Sequence, residues 1–252
     1  MHHRIHAASA VVPTATHETA LEKIAQGLED PLFGVISAER VQLCPQHRGY
    51  IGEELVERLQ AAHPDTEFRL HAAPKLEGVR KRHVYASNLP ANDDWVHRLV
   101  TLTDMMKPRG YSIHAGLRRE SSLFEMIDNV RRLEDRMETR VSVEGLYPAR
   151  DNMWLMSSWK EYEAVATSGI GFALDMSHLN IVARRHGRQD NLVRDLLAAC
   201  NCVEVHVSHN DGRADSHHQM DPSDKPWWFD LLGHANDEAD FFYEGILVRP
   251  SR

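Results

Sequence analysis

Short apolar runs alternate along this chain with longer stretches whose apolar residues recur at helical spacing. Arg4–Val12 reads as a strand stopped by Pro13, and Thr16 caps a helix through about Gly27 with Leu21, Ile24 and Leu28 on one face. The pattern then predicts strand 41–43, helix 53–62, strand 67–70, helix 94–106, strand 111–113, helix 121–137 and strand 140–143. It continues with helix 159–167, strand 171–174, helix 190–199, strand 203–205, a short helix over 226–234 and strand 241–243. Eight strands alternating with seven helices of about 10–15 residues predict βαβ units and a parallel sheet. In about 250 residues this is the arithmetic of an α/β (β/α)8 TIM barrel, with residues 1–252 as a single domain and its final helix missing or supplied elsewhere. The runner-up is an open doubly wound sheet. Neither G-x-G-x-x-G after the first strand nor G-x-x-x-x-G-K-[ST] occurs, so that class lacks its phosphate-cradling motifs here.

Composition narrows the chemistry. Apolar residues make up 42% and charged residues 26%, which excludes disordered and collagen-like chains. Against 29 Lys and Arg stand 37 Asp and Glu, a net charge of −8 that opposes nucleic-acid binding held by global charge. No apolar run approaches the ~20 residues of a membrane helix, and the N-terminus has no signal-type apolar core. Cys44, Cys200 and Cys202 form no zinc-ribbon spacing; so sparse and odd a set fits a reducing, cytoplasmic setting. The unusual count is histidine, 17 in all. Histidine is the commonest metal ligand, so its placement matters.

From the third strand onward, each apolar run is followed by a residue able to bind metal: His71, His114, Glu144, Asp175, His206 and Glu244. A parallel barrel gathers these strand ends at one face, where active sites sit. His178 lies three residues after Asp175, and Asp215 and His217 form a D-x-H in the loop after His206. All donors are N or O, which suits Zn, Mn or Fe better than a thiolate site. One such residue alone is most simply a solvated or capping group; six consecutive strand ends make a joint pattern. His209 and His218 read as supporting, substrate-contacting or solvated residues. His2, His3, His6, His17, His47, His63, His83, His97, His186 and His234 read as surface or structural.

These residues carry a family resemblance. HAAP at His71, HAG at His114, the strand-end Glu144, D-M-S-H-L-N-I from Asp175, H-V-S-H-N-D-G-R-A-D-S-H from His206 and the last-strand Glu244 resemble the xylose isomerase-like TIM-barrel superfamily over about residues 67–245. That superfamily holds sugar phosphate isomerases/epimerases and the endonuclease IV-like group. The resemblance implies a core metal site of Glu144, Asp175, His206 and Glu244. It implies that His71, His114, His178, Asp215 and His217 extend this site, for one to three divalent ions (Mn, Fe or Zn) per chain. Two departures fall on the loop bordering the cavity. His209 stands where the pattern is acidic, and the usual Gly-x-Gly after the D-x-H is replaced by His218-Gln-Met-Asp-Pro-Ser-Asp.

Three chemistries fit this donor set. In isomerisation or epimerisation of a small hydroxy-carbonyl compound, a metal polarises a carbonyl and stabilises an enediolate. Glu144 and Glu244, ligands as well, would be the acid/base pair. The second is oxidation of a small molecule or peptide by a multinuclear non-haem iron site, as in the DUF692-like enzymes that the set also resembles. The third is endonuclease IV-like phosphodiester hydrolysis, for which the charge is unfavourable. A binding protein on this barrel would be expected to lose the two glutamates. Isomerase/epimerase chemistry leads, on a small polar metabolite, with no membrane and no nucleic-acid partner; a homo-oligomer is compatible. Three basic segments could meet an anionic substrate: Arg80, Lys81 and Arg82; Arg118 and Arg119; Arg184 and Arg185. Met153, Trp154 and Met156 could roof the cavity, Arg150 in the same loop could meet a carboxylate or phosphate, and Trp227 and Trp228 read as barrel packing or a dimer contact.

Overall fold

The structure, a computed structural model, describes residues 3–80 and 83–248; His2, Lys81 and Arg82 lie outside them, as does the side chain of Arg150. Nine strands occur among the described residues: β1 (Ile5–Ala8), β2 (Leu28–Asp30), β3 (Gly34–Leu43), β4 (Glu67–Leu70), β5 (Gly110–His114), β6 (Arg140–Glu144), β7 (Gly171–Asp175), β8 (Cys202–Val207) and β9 (Asp240–Tyr243). Between them run α1 (His17–Ala25), α2 (Glu53–Ala62), α3 (Asp93–Met106), α4 (Leu123–Glu134), α5 (Trp159–Thr167), α6 (Met176–His186) and α7 (Asp190–Ala198). Several caps follow the sequence signals. Thr16 accepts from the Thr19 amide to start α1, and Ser122 with Glu125 forms a reciprocal capping box on α4.

Parallel pairing runs β3-β1-β9-β8-β7-β6-β5, and β4 lies on the other side of β3. A bridge between His71 and Ser112, with the Ala72 amide donating to the Ser112 carbonyl at 3.0 Å, joins β4 to β5. Eight parallel strands therefore close on themselves, and the open-sheet alternative falls. Among the described residues the closing seam is a single bridge, at the end where the strand-end His71 lies.

Three features depart from the sequence reading. β2 and the start of β3 form an antiparallel hairpin that no period-2 run announced. Its turn is built by Asp30, whose Oδ1 accepts the Leu32 and Phe33 amides at 2.9 and 3.0 Å, and by Gly34 at φ +72°. α6 is an additional helix that starts directly after β7, and the segment at 226–234 forms only a 3-10 helix over Phe229–His234.

The strands alternate, and the inward set is polar. Val41, Leu43, Phe68, Leu70, Val141, Val143, Phe172, Leu174, Val205 and Val207 are buried in the apolar core. The intervening residues include Gln42, Arg69, Ser112, Ser142 and Glu204, all buried. Gln42 and Arg69 meet Glu204 from strands that do not neighbour β8, so these side chains meet across the barrel interior. A TIM-barrel interior is ordinarily filled by branched aliphatic residues. Here a polar layer lies directly beneath the strand ends.

Candidate metal centre

Strand register brings the predicted residues together. His114 on β5 pairs with Glu144 on β6, and Asp175 on β7 pairs with His206 on β8. His71 and Glu244 directly follow β4 and β9. The C-terminal ends of six consecutive strands thus deliver six donors to one face. A cavity of about 110 Å³ is lined by eight of the nine predicted residues, leaving only His206 off its wall. His206 is fully buried with its Nδ1 3.3 Å from Glu144 Oε2.

The D-x-H loop is placed by several contacts. His209 and His218 exchange backbone hydrogen bonds of 2.9 and 2.8 Å that pinch the loop, and the Ile246 amide donates to the His217 carbonyl at 2.9 Å. Met220 donates its amide to Asp30 Oδ2 at 3.2 Å, and Tyr243 donates its hydroxyl to the same oxygen. The hairpin missed in the sequence therefore anchors this loop. His217 itself sits at φ +45°, a left-handed conformation rare for a non-glycine residue and common at functional sites. His209 approaches Asp224 at 3.6 Å, away from the cluster.

Three histidines share one arrangement. His178 donates Nδ1–H to the Gly145 carbonyl at 2.8 Å, leaving Nε2 3.3 Å from Asp215 Oδ2 and 3.5 Å from Asp175 Oδ2. His206 holds Glu204 through Nε2 at 3.0 Å, leaving Nδ1 between Glu144 and Glu244. His71 meets Ser112 Oγ through Nδ1 at 3.0 Å, leaving Nε2 3.3 Å from Glu244 and 3.7 Å from Glu144. Each ring is fixed by one nitrogen and presents the other inward, the geometry in which metal-ligating histidines are held. His114 Nε2 lies 3.5 Å from Glu144, and His217 reaches Asp215 at 3.0 Å and Glu244 at 3.6 Å.

Asp175 divides its carboxylate. Oδ1 accepts the Ser177 and His178 amides at 2.7 and 3.1 Å as the N-cap of α6, and Oδ2 remains buried with no hydrogen-bond partner. Glu144 Oε2, His206 Nδ1 and His217 Nδ1 are also buried and unpartnered. Buried polar atoms are ordinarily satisfied, so three such atoms from the wall of one cavity, with His206 Nδ1 beside Glu144, call for an external partner. A cation fits them. His71, His114 and Glu144 form one group whose donor atoms lie within 4.8 Å of one another; Glu144, Asp175 and His178 form a second, and Asp175, His206 and Glu244 a third.

The electrostatics separate the two glutamates. Burial pushes the Glu244 carboxyl up to about 7, with the nearby Asp175 and Glu144 charges adding to it against His206 and His217. Burial also opposes ionisation of Glu144, but His114 and His206 outweigh it and hold that carboxyl well below the usual range. For His217, burial is outweighed by Asp215 and Glu244, which carry it to about 9. His71 is pushed down to about 3 by burial, so its ring is neutral and its lone pair available.

Sequence reasoning missed the layer below. Glu204 accepts from Arg69 Nη1 at 2.9 Å and Gln42 Nε2 at 2.9 Å as well as meeting His206. Arg69 continues to Asp240 and Glu67 at 2.6 and 2.7 Å. The available signal was the E-x-H spacing, since residues two apart on a strand share a face.

Comparison with known proteins matches neither a family model nor a curated protein's sequence. Solved structures do match. A D-tagatose 3-epimerase-like protein superposes with a TM-score of 0.68 at 13% identity, covering 96% of this chain and 91% of its own. The D-allulose 3-epimerase from Methylomonas sp., in complex with D-allulose, gives 0.66 at 13% identity (97% and 84%). An AP endonuclease of family 2 from Brucella melitensis gives 0.64 at 13% identity (98% and 94%). This chain shares the overall fold of these structures. At such identities the likeness concerns the fold, and function has to be argued from the site itself.

Proposed function

We propose that this chain is a metal-dependent enzyme of isomerase or epimerase type, acting on a small hydroxy-carbonyl compound. The observation that carries it is the set of three histidines, each tied by one nitrogen and presenting the other to the carboxylates at the strand ends. Glu144, Asp175, His206 and Glu244 would hold the core ion, with His71, His114, His178, Asp215 and His217 extending the site. A divalent ion bound there polarises a carbonyl and stabilises negative charge on the adjacent oxygens. Glu244 would take a proton from the carbon next to the carbonyl; in isomerisation it would return that proton to the neighbouring carbon on the same face, and in epimerisation Glu144 would deliver a proton to the opposite face. A D-allulose 3-epimerase and a D-tagatose 3-epimerase-like protein among the structures of this fold support a polyhydroxy carbonyl substrate.

A second reading, oxidation at a multinuclear iron site, draws on the donor count. His178, Asp215 and His217 form a separate lobe through contacts of 3.3 and 3.0 Å, more than one ion needs. The test couples metal analysis to hydrogen exchange. Protein purified with and without air is assayed for metal by plasma mass spectrometry, then incubated in D2O with D-allulose and other ketoses. Deuterium entering the sugar carbon only with metal present, and lost in Glu244→Gln, is the expected result. Two or three irons per chain with oxygen uptake and no exchange would establish the second reading instead. No metal at all would leave a binding protein.

A further inference from the structure

The cation cavity opens onto a second, larger one of about 390 Å³, the two sharing Pro45, Gln46, Ala72 and His114 in their walls. Their electrostatics are opposite. Glu144, Asp175, Asp215 and Glu244 ring the inner cavity. The outer one carries Lys75, Arg80 and His83, and no carboxylate lines it among the described residues. Tyr85 supplies an aromatic wall, stacked on His83 at 6.5 Å and met edge-on by Trp154 at 5.6 Å.

The other two basic segments noted in the sequence line neither cavity. Arg118 is spent on a two-point pair with Glu161 at 2.6 and 2.7 Å, which ties the loop after β5 to α5. Arg184 lies on α6 and packs against Gly212. Only the Arg80 segment borders the route to the strand ends. Lys75 donates one hydrogen bond to the His47 carbonyl at 2.5 Å, and an ammonium has two more donors to offer. Arg80 is exposed and makes no ion pair among the described residues.

We propose, resting on the metal-enzyme reading above, that the substrate ends in an oxyanion, phosphate or carboxylate, seated on Lys75, Arg80 and His83 while its carbonyl end reaches the strand-end cluster. A cationic cavity with no carboxylate in its wall, opening from an acidic one, selects a molecule that is a metal-binding diol or carbonyl at one end and an anion at the other. A neutral sugar would leave the outer cations without a partner.

The probes are hydroxamates of two to five carbons, which chelate a divalent ion at one end and terminate in phosphate, carboxylate or hydroxyl at the other. Their binding to manganese-loaded protein is measured by calorimetry. For at least one length, an anionic end binds about tenfold tighter than the hydroxyl end, the worth of one charge-assisted contact. The phosphate and carboxylate series show which oxyanion the cavity takes. The preference shrinks in Arg80→Ala and disappears in the Lys75→Ala/Arg80→Ala pair. Equal affinity of charged and neutral hydroxamates at every length, or a preference that survives both substitutions, overturns the oxyanion site while leaving the metal reading standing. Failure of every hydroxamate to bind the manganese-loaded protein overturns both.

Discussion

Replacing Arg69 with methionine is expected to destabilise the protein by about 3–5 kcal/mol, and nearly all of that cost should fall on Glu204. Arg69 is 1% exposed and donates to Glu204, Asp240 and Glu67 at 2.6–2.9 Å. Two of the three acceptors can manage without it. Glu67 is 23% exposed at its side chain and lies near Arg40 and Arg109, and Asp240 keeps an ion pair with Arg40. Glu204 is 1% exposed, and its remaining partners are Gln42 and His206. Its carboxyl is held at about 2 against the burial that would raise it, first by the His206 hydrogen bond and then by Arg69. Without the guanidinium, Glu204 Oε1 loses its ion pair inside the barrel, and only Oε2 keeps its contacts with Gln42 and His206. The assay is urea unfolding of metal-free protein by tryptophan fluorescence, for Arg69→Met, Glu204→Leu and the double variant. The double variant should lose at least about 2 kcal/mol less than the sum of the two singles, since neither charge is then stranded. Additive losses, or a single Arg69→Met cost below about 1 kcal/mol, would refute the account of the polar layer.

The metal core and its extension should separate by mutation. Asp175→Asn keeps a side-chain oxygen able to cap α6, so it should fold and lose metal, whereas His217→Ala should lose part of the metal only; full stoichiometry in His217→Ala by plasma mass spectrometry removes that histidine from the ligand set. His17 is buried and pushed down to about 4, chiefly by burial and then by His47. Its contribution to stability is present above about pH 6.5 and lost as pH falls towards 4, because the unfolded chain binds the proton first. The histidines raised by the acidic cluster act in the opposite sense, so the measurement is a comparison of variants. Urea midpoints taken from pH 7 to pH 5 should fall less steeply in His17→Gln, by roughly 2 kcal/mol at pH 5; parallel slopes would contradict it.

Much of this protein was legible in one dimension. Helix 53–62, strand 67–70 and helix 159–167 coincide with α2, β4 and α5 to the residue, because their local signals agree: period, caps and flanking breakers. Six of the nine candidate residues could be grouped from the sequence because a parallel barrel turns a repeated position at strand ends into one shared face. α6 was not, because its start is signalled by Asp175, already accounted for as a strand end, and one aspartate performs both tasks. The β2–β3 hairpin was missed because its strand runs past the apolar Val41–Leu43 into Ser37, Glu39 and Arg40, which no period-2 pattern marks.

The sequence by itself determined the order of elements and the donor types, since both follow from local periodicity and from what each side chain can bond. It could not determine which nitrogen of each histidine faces inward. That rests on Gly145 for His178, Ser112 for His71 and Glu204 for His206, at sequence separations of 33, 41 and 2. Nor could it show that the polar residues between the apolar ones on β3, β4 and β8 meet in the barrel interior. Alternation says only that the two faces of a strand differ. Closure of the barrel, through one bridge at His71 and Ser112, decides that the polar face is the inner one.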